Sequence, residues 1–155
     1  MNRSCCVKKV FLVTCLVSGP IDGLAKTWKH FDQVNNRTGQ KVYRAVSDTR
    51  NYKAALGCKY NGGIVLAFLF PKTHSNGYGL VNYQIDENNS GQVHVEIKDT
   101  VAYVMYPPNK LIEQMKVGSV MRVISPKTKK GHNLVSFKLS GFSDSWIWMT
   151  KKCIL

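Results

Sequence analysis

Two runs of strict alternation, separated by a turn signal, limit what this chain can fold into more than any other feature. In YGLVNYQID (78–86), Val81, Tyr83 and Ile85 share one face and Asn82 and Gln84 the other. In QVHVEIKD (92–99), Val93, Val95 and Ile97 point one way and His94, Glu96 and Lys98 the other. A period of two belongs to a strand with one buried face, because successive side chains leave opposite sides of the backbone. The intervening DENNSG (86–91) is made of turn formers, so the segment predicts a β-hairpin lying on a core. GGIVLAFLFP (62–71) is unbroken in its apolar character from Ile64 to Phe70 and predicts a central strand covered on both faces. VAYVMY (101–106), SVMRVI (119–124) and LVSFKL (134–139) add further strands. KVYRAV (41–46) and AALGCKY (54–60) are weaker ones, split by the polar SDTRN. That spacing predicts a mainly β fold: an antiparallel β-sandwich or barrel.

Two short helices interrupt the strands. PPNKLIEQMKVG has prolines ahead of it, Asn109 as the expected N-cap and Gly118 as the stop, with Leu111, Ile112 and Met115 on one face. At the C-terminus, SDSWIWMTKKC predicts a helix from Ser143, with Asp144 favourable near the positive end of its dipole. Trp146, Met149 and Cys153 then lie on one stripe, and docking that stripe on the sheet carries Cys153 towards Cys58. SWIWM also suits an edge strand, and the residues alone leave that choice open.

The cysteines are distributed in a telling way. Cys5, Cys6 and Cys15 sit in a stretch with a basic start (Arg3, Lys8, Lys9), an apolar run from Val10 to Val17 and small residues at Gly23 and Ala25. This pattern predicts a secretory signal over residues 1–25, cleaved after Ala25, ahead of a single β-rich domain over 26–155. Two alternatives are a lipoprotein signal with Cys15 as the acylated residue, and an uncleaved N-terminus of a cytosolic protein. The apolar run is far short of the ~20 residues that span a bilayer, and no later stretch approaches that length. Cleavage leaves Cys58 and Cys153. In an oxidising compartment, periplasmic or extracellular, such a pair reads as one disulfide.

Charge narrows the partners. The chain carries 22 Lys+Arg against 9 Asp+Glu, a formal net charge of +13. Cleavage removes only Arg3, Lys8 and Lys9 against Asp22, and the basic residues that remain run from Lys26 to Lys152. Such a surface favours anionic partners. Its sharpest concentration is SPKTKKGH (125–132), where Lys127, Lys129 and Lys130 fall in a turn between two strands. They are the candidate contacts to an anionic partner, or else solvated charges that keep a sheet edge from pairing.

The residues also carry a family resemblance. Trp28, the Cys58 strand, VNYQID (81–86), KLIEQMKVGSVMRVISP (110–126), FKLSGF (137–142) and the final Cys153 occur in a characteristic order. In this the chain resembles the VasI-like family of small exported proteins associated with type VI secretion and with prophages. Its second half is also similar to the invasion-associated locus B family of exported bacterial proteins, although the paired mid-domain cysteines of that family have no counterpart between Cys58 and Cys153. Both resemblances imply a periplasmic or secreted β-rich accessory protein, with no catalytic residues to carry across.

Nothing in the sequence asks for catalysis. His94-x-Glu96 is half of a zinc deaminase motif, but the Pro-Cys-x-x-Cys partner is absent. His30, His74 and His132 sit in unrelated contexts, and GFSDSW lacks the Gly-x-Ser-x-Gly of a nucleophile elbow. Tyr103, Tyr106 and Phe137 alternate as core residues rather than as a stacking platform for bases. The expectation is therefore no enzyme, no cofactor and no metal. Three functional readings follow: an exported protein that binds an envelope or host protein in secretion or host contact; a basic module for anionic lipid or lipopolysaccharide; and, least supported, a nucleic-acid-binding barrel.

Overall fold

A computed structural model describes residues 26–48, 53–59, 61–71, 75–87, 89–125 and 131–154. The expected signal segment 1–25, His74 and the three lysines Lys127, Lys129 and Lys130 lie outside the described residues. The elements in chain order are β1 (Lys29–Val34), β2 (Lys41–Val46), β3 (Ala54–Cys58), β4 (Ile64–Leu69), β5 (Gly77–Ile85), β6 (Asn89–Lys98), β7 (Val101–Val104), α1 (Asn109–Val117), β8 (Val120–Ile124), β9 (Leu134–Lys138) and α2 (Phe142–Lys152).

The hairpin of β5 and β6 forms with the predicted faces but on a tighter turn than DENNSG, since β6 already begins at Asn89, which pairs with Ile85. Val81 lies opposite Val93, and Val81, Tyr83, Ile85, Val93, Val95 and Ile97 are all buried. Around it the strands make one antiparallel sheet in the order β1-β2-β3-β4-β7-β6-β5-β8-β9. The sheet folds over itself, so that Phe68 of β4 meets Phe137 of β9 across the core with ring centroids 6.3 Å apart. It does not close, and no ladder joins β1 to β9. Instead the strand edge of β9 is covered piecemeal. The backbone N–H groups of Thr27 and Trp28 both donate to the Ser140 carbonyl at 3.0 Å. The Trp28 indole donates to the Lys138 carbonyl at 3.1 Å, and the Lys53 ammonium to the Ser136 carbonyl at 3.0 Å. Each bond satisfies an edge acceptor that would otherwise invite another strand. The expected sandwich or barrel is thus an open, curled sheet.

The C-terminal segment is a helix, not an edge strand. α2 buries Phe142, Ser145 and Met149, and Cys153 follows on the same side. Trp28 packs edge-on against Phe142 at 5.0 Å and against Phe137 at 6.1 Å, so one ring cluster fastens the N-terminal strand, the helix and β9 together. Asp144 stands in the first turn and pairs with Lys26, which bonds to its carboxylate and holds it below the ordinary carboxylate pKa. That exposed pair helps the fold above the usual carboxylate range, and its help fades as pH falls through the lowered value.

α1 starts one residue away from expectation. Pro108 is the N-cap in extended conformation, Asn109 is the first helical residue, and no side chain caps the end. The predicted face is buried in full: Leu111, Ile112 and Met115. Gly118 then lets the chain pass close to the core, because a Cβ there would lie 2.3 Å from Cγ2 of Ile85 and 3.0 Å from the Gln114 carbonyl oxygen. Ile85 is wholly buried and β-branched, so that methyl has little freedom to move aside. Gly118→Ala is expected to cost about 1–3 kcal/mol, seen as a lower urea midpoint at unchanged m-value.

Asp86, which ends the VNYQID run, has a structural task. Its backbone is left-handed at φ 51°, and its carboxylate accepts the N–H of Ser119 at 3.0 Å and of Val120 at 2.9 Å. The turn after β5 thereby holds the start of β8.

Candidate functional site

The strands β2, β3, β4 and β7 are largely apolar on both faces, but among the described residues only one face is packed under the helices. On the other, Val46 and Ala67 are buried and the apolar residues around them half-buried. On the side away from the core, cross-strand register aligns Val46, Ala55, Ala67, Tyr103 and Glu96 in one row. A parallel row runs Phe31, Arg44, Gly57 and Val65, and a third runs Leu69, Val101 and Lys98. The smallest residues, Ala55, Gly57 and Ala67, lie in the middle of the array, with Phe31, Val46 and Tyr103 standing around them. A low floor between taller walls is the result: a groove of about 730 Å³ that also reaches Met105. This volume is in the range of small-molecule sites, ~300–1,000 Å³.

Its two ends differ in charge. At the β6 end the Lys98 ammonium lies 2.9 Å from the Glu96 carboxylate, and the hydrogen bond to Glu96 raises the Lys98 pKa above its ordinary value. That end is neutralised. At the β2 end Arg44 is exposed and has no hydrogen-bond or ion-pair partner among the described residues. Arg44 and Gln33 also form the wall of an adjoining polar pocket of about 210 Å³, lined further by Asn35 and Asn36 of the β1–β2 turn. An apolar trough therefore opens into a polar pocket beside an unpaired guanidinium.

Of the residues singled out from the sequence, Cys58, Glu96 and Tyr103 border the groove, and the other described ones fall elsewhere. Cys58 and Cys153 form a disulfide that closes a loop of 95 residues and ties the end of α2 to β3. The Cys153 carbonyl also accepts the Gly63 N–H at 3.1 Å. His94 is exposed on β6 opposite Leu80, and Glu96 pairs with Lys98 rather than with a metal partner. His30 stacks on Trp148 at 4.7 Å, and His132 bonds through Nδ1 to the Ser125 carbonyl at 2.9 Å. Among the described residues no three His, Cys, Asp or Glu side chains gather in metal-binding geometry.

Three expectations need correction. Phe137 is in the core, but Tyr106 is 79% exposed, with the Lys59 ammonium 3.4 Å above its ring. Tyr103 lines the groove instead of the core because β7 keeps its alternation, with Ala102 and Val104 taking the inner face. No second layer of described residues covers the outer side of β4. Val65, Ala67 and Leu69 face the groove.

No family model matches this chain, and no curated protein sequence matches it either. Among solved structures, it is similar to the crystal structure of invasion associated protein B from Bartonella henselae, with a TM-score of 0.52 at 15% identity. The match covers 82% of this chain and 92% of that one. The two share a fold. Of the two sequence resemblances, the one to the invasion-associated locus B family is the one with a structural counterpart. The VasI-like resemblance rests on its quoted residues alone. Invasion associated protein B thus supports the architecture on which the groove is built, and at this identity nothing about its contents.

The groove itself was missed from sequence. Its signal was available in VYRAV, AALG and IVLAFL, strands that are apolar at positions of both parities. Read as burial on both sides, that pattern conceals an open apolar face. The small residues at alternate positions, Ala55, Gly57 and Ala67, are what distinguishes a trough from a packed layer.

Proposed function

We propose that this is an exported, non-catalytic binding protein of the bacterial envelope that serves secretion or host contact through the groove on its outer sheet face. The observation that carries the reading is the concave, largely apolar trough across β2, β3, β4 and β7, which no other described helix or strand layer covers. A concave apolar site of this volume is the usual form of a ligand pocket. Export is supported by the Cys58–Cys153 disulfide, since such bonds persist in oxidising compartments. The fold shared with an invasion-associated protein points the same way. No helix among the described residues is long and apolar enough to cross a membrane.

A benzophenone amino acid placed at Val65, on the groove floor, tests this in the native cell. The expected result is a discrete adduct that disappears when Ala67→Phe fills the trough. A probe at Arg122, on the outer face of β8, should not give it. Identical adducts from both positions, indifferent to Ala67→Phe, would remove the groove from the function.

A further inference from the structure

We infer that the occupant of the groove is a long-chain fatty acid, its chain lying over Ala55 and Ala67 and its carboxylate held at Arg44. This names the ligand of the binding reading above and rests on it. Three observations converge.

The first is shape. From β2 to β6 the trough crosses four inter-strand steps of about 4.8 Å, a path of roughly 19 Å, which suits an extended alkyl chain. The small residues of its floor allow a chain close approach along that path.

The second is the asymmetry of charge. Lys98 is paired with Glu96, so the described groove residues at the β6 end offer no free charge. Arg44 is unpaired among the described residues and borders both the apolar trough and the polar pocket of Gln33, Asn35 and Asn36. A guanidinium presents a planar fork that matches one carboxylate, and such charge-assisted pairs are the strong ones. Lys29, in register with Val46, adds a second cation to this end, but among the described cations Arg44 alone lines both the trough and the polar pocket, a placement that suits a single-chain amphiphile with an anionic head.

The third is the charge of the whole molecule. A second copy seated on the groove would bring together two molecules that, without residues 1–25, each carry 19 Lys+Arg against 8 Asp+Glu, a net charge of +11, which disfavours self-association and favours an anion.

The test uses the purified protein and cis-parinaric acid, a fluorescent fatty acid, below its micelle concentration. A saturable rise in emission is expected, reversed by palmitate and at least roughly tenfold less well by hexadecanol, which keeps the chain and lacks the charge. Arg44→Gln, at an exposed position, should abolish that preference while leaving the melting temperature unchanged. Ala67→Phe should weaken parinaric acid binding at least roughly tenfold. Absence of saturable binding, equal displacement by the alcohol, or a groove-dependent dimer on gel filtration would overturn the inference. If parinaric acid fails to bind while the Val65 probe captures a protein in an Ala67-dependent way, the ligand class falls and the binding groove stands. If both fail, both readings fall.

Discussion

Cys58→Ser and Cys153→Ser each lower the melting temperature by on the order of 10–20 °C, and by nearly the same amount. Either change opens the same loop of 95 residues. The chain-entropy model assigns a loop of that length about 4–5 kcal/mol. Against the ~5–15 kcal/mol of a typical domain, this is a large share, and each kcal/mol shifts the midpoint by several degrees. The double variant is expected to melt with the single ones, because the two side chains share one interaction and their effects do not add. Calorimetry with and without reductant checks the result. Reductant should bring the native protein to the midpoint of the variants, and a midpoint indifferent to reductant would refute the staple.

Phe142→Ala carries the next largest expectation, a loss of about 3–5 kcal/mol. The side chain is wholly buried at the first position of α2. Its ring touches Trp28 at 5.0 Å and Trp146 at 6.1 Å, and Trp28 in turn reaches Phe137 of β9. Truncation leaves a cavity where the start of the chain, the C-terminal helix and the edge of the sheet are fastened together. Urea unfolding gives the magnitude. Tryptophan emission in the native baseline should shift as the Trp28 indole loses part of its cover. Phe142→Leu, which keeps most of the volume, should cost markedly less. Equal stability of Phe142→Ala and the native protein would mean that the ring cluster does not hold the two edges of the sheet.

The parts of the fold legible in the sequence are those governed by local periodicity. The faces of the β5–β6 hairpin and of α1 follow from alternation and helical spacing. On α2, which begins at Phe142 rather than Ser143, Met149 and Cys153 are buried as expected, but Phe142 and Ser145 complete the stripe and Trp146 is half-buried at its edge. β1 was invisible for the opposite reason. KHFDQV has no apolar alternation, and it becomes a strand only because β2 pairs with it from Val34↔Lys41 to Lys29↔Val46. The edge coverage by Trp28 and Lys53 was equally hidden, since those contacts join residues about a hundred positions apart. The groove fell between these cases. Its residues were recognised as strand residues, but an apolar face carries no mark of whether protein covers it. Only the assembled sheet, with both helices on the inner side, shows that nothing does among the described residues.

The Arg44 end was illegible for a related reason. In the sequence Arg44 is one of 22 basic residues, and the lysine-rich turn at Lys127, Lys129 and Lys130 drew attention by density alone. What sets Arg44 apart is register, which places it opposite Gly57 and beside Phe31, at the mouth of an apolar channel. Position relative to the trough, not the number of charges, gives it a role.

Native mass spectrometry of the protein isolated from its own cells reads export, disulfide and ligand in one experiment. The expected species is a polypeptide beginning at or near Lys26, two mass units lighter than its reduced form, and carrying a non-covalent adduct that Ala67→Phe abolishes. A bare chain with its first 25 residues intact, identical in the native protein and in Ala67→Phe, would contradict this expectation.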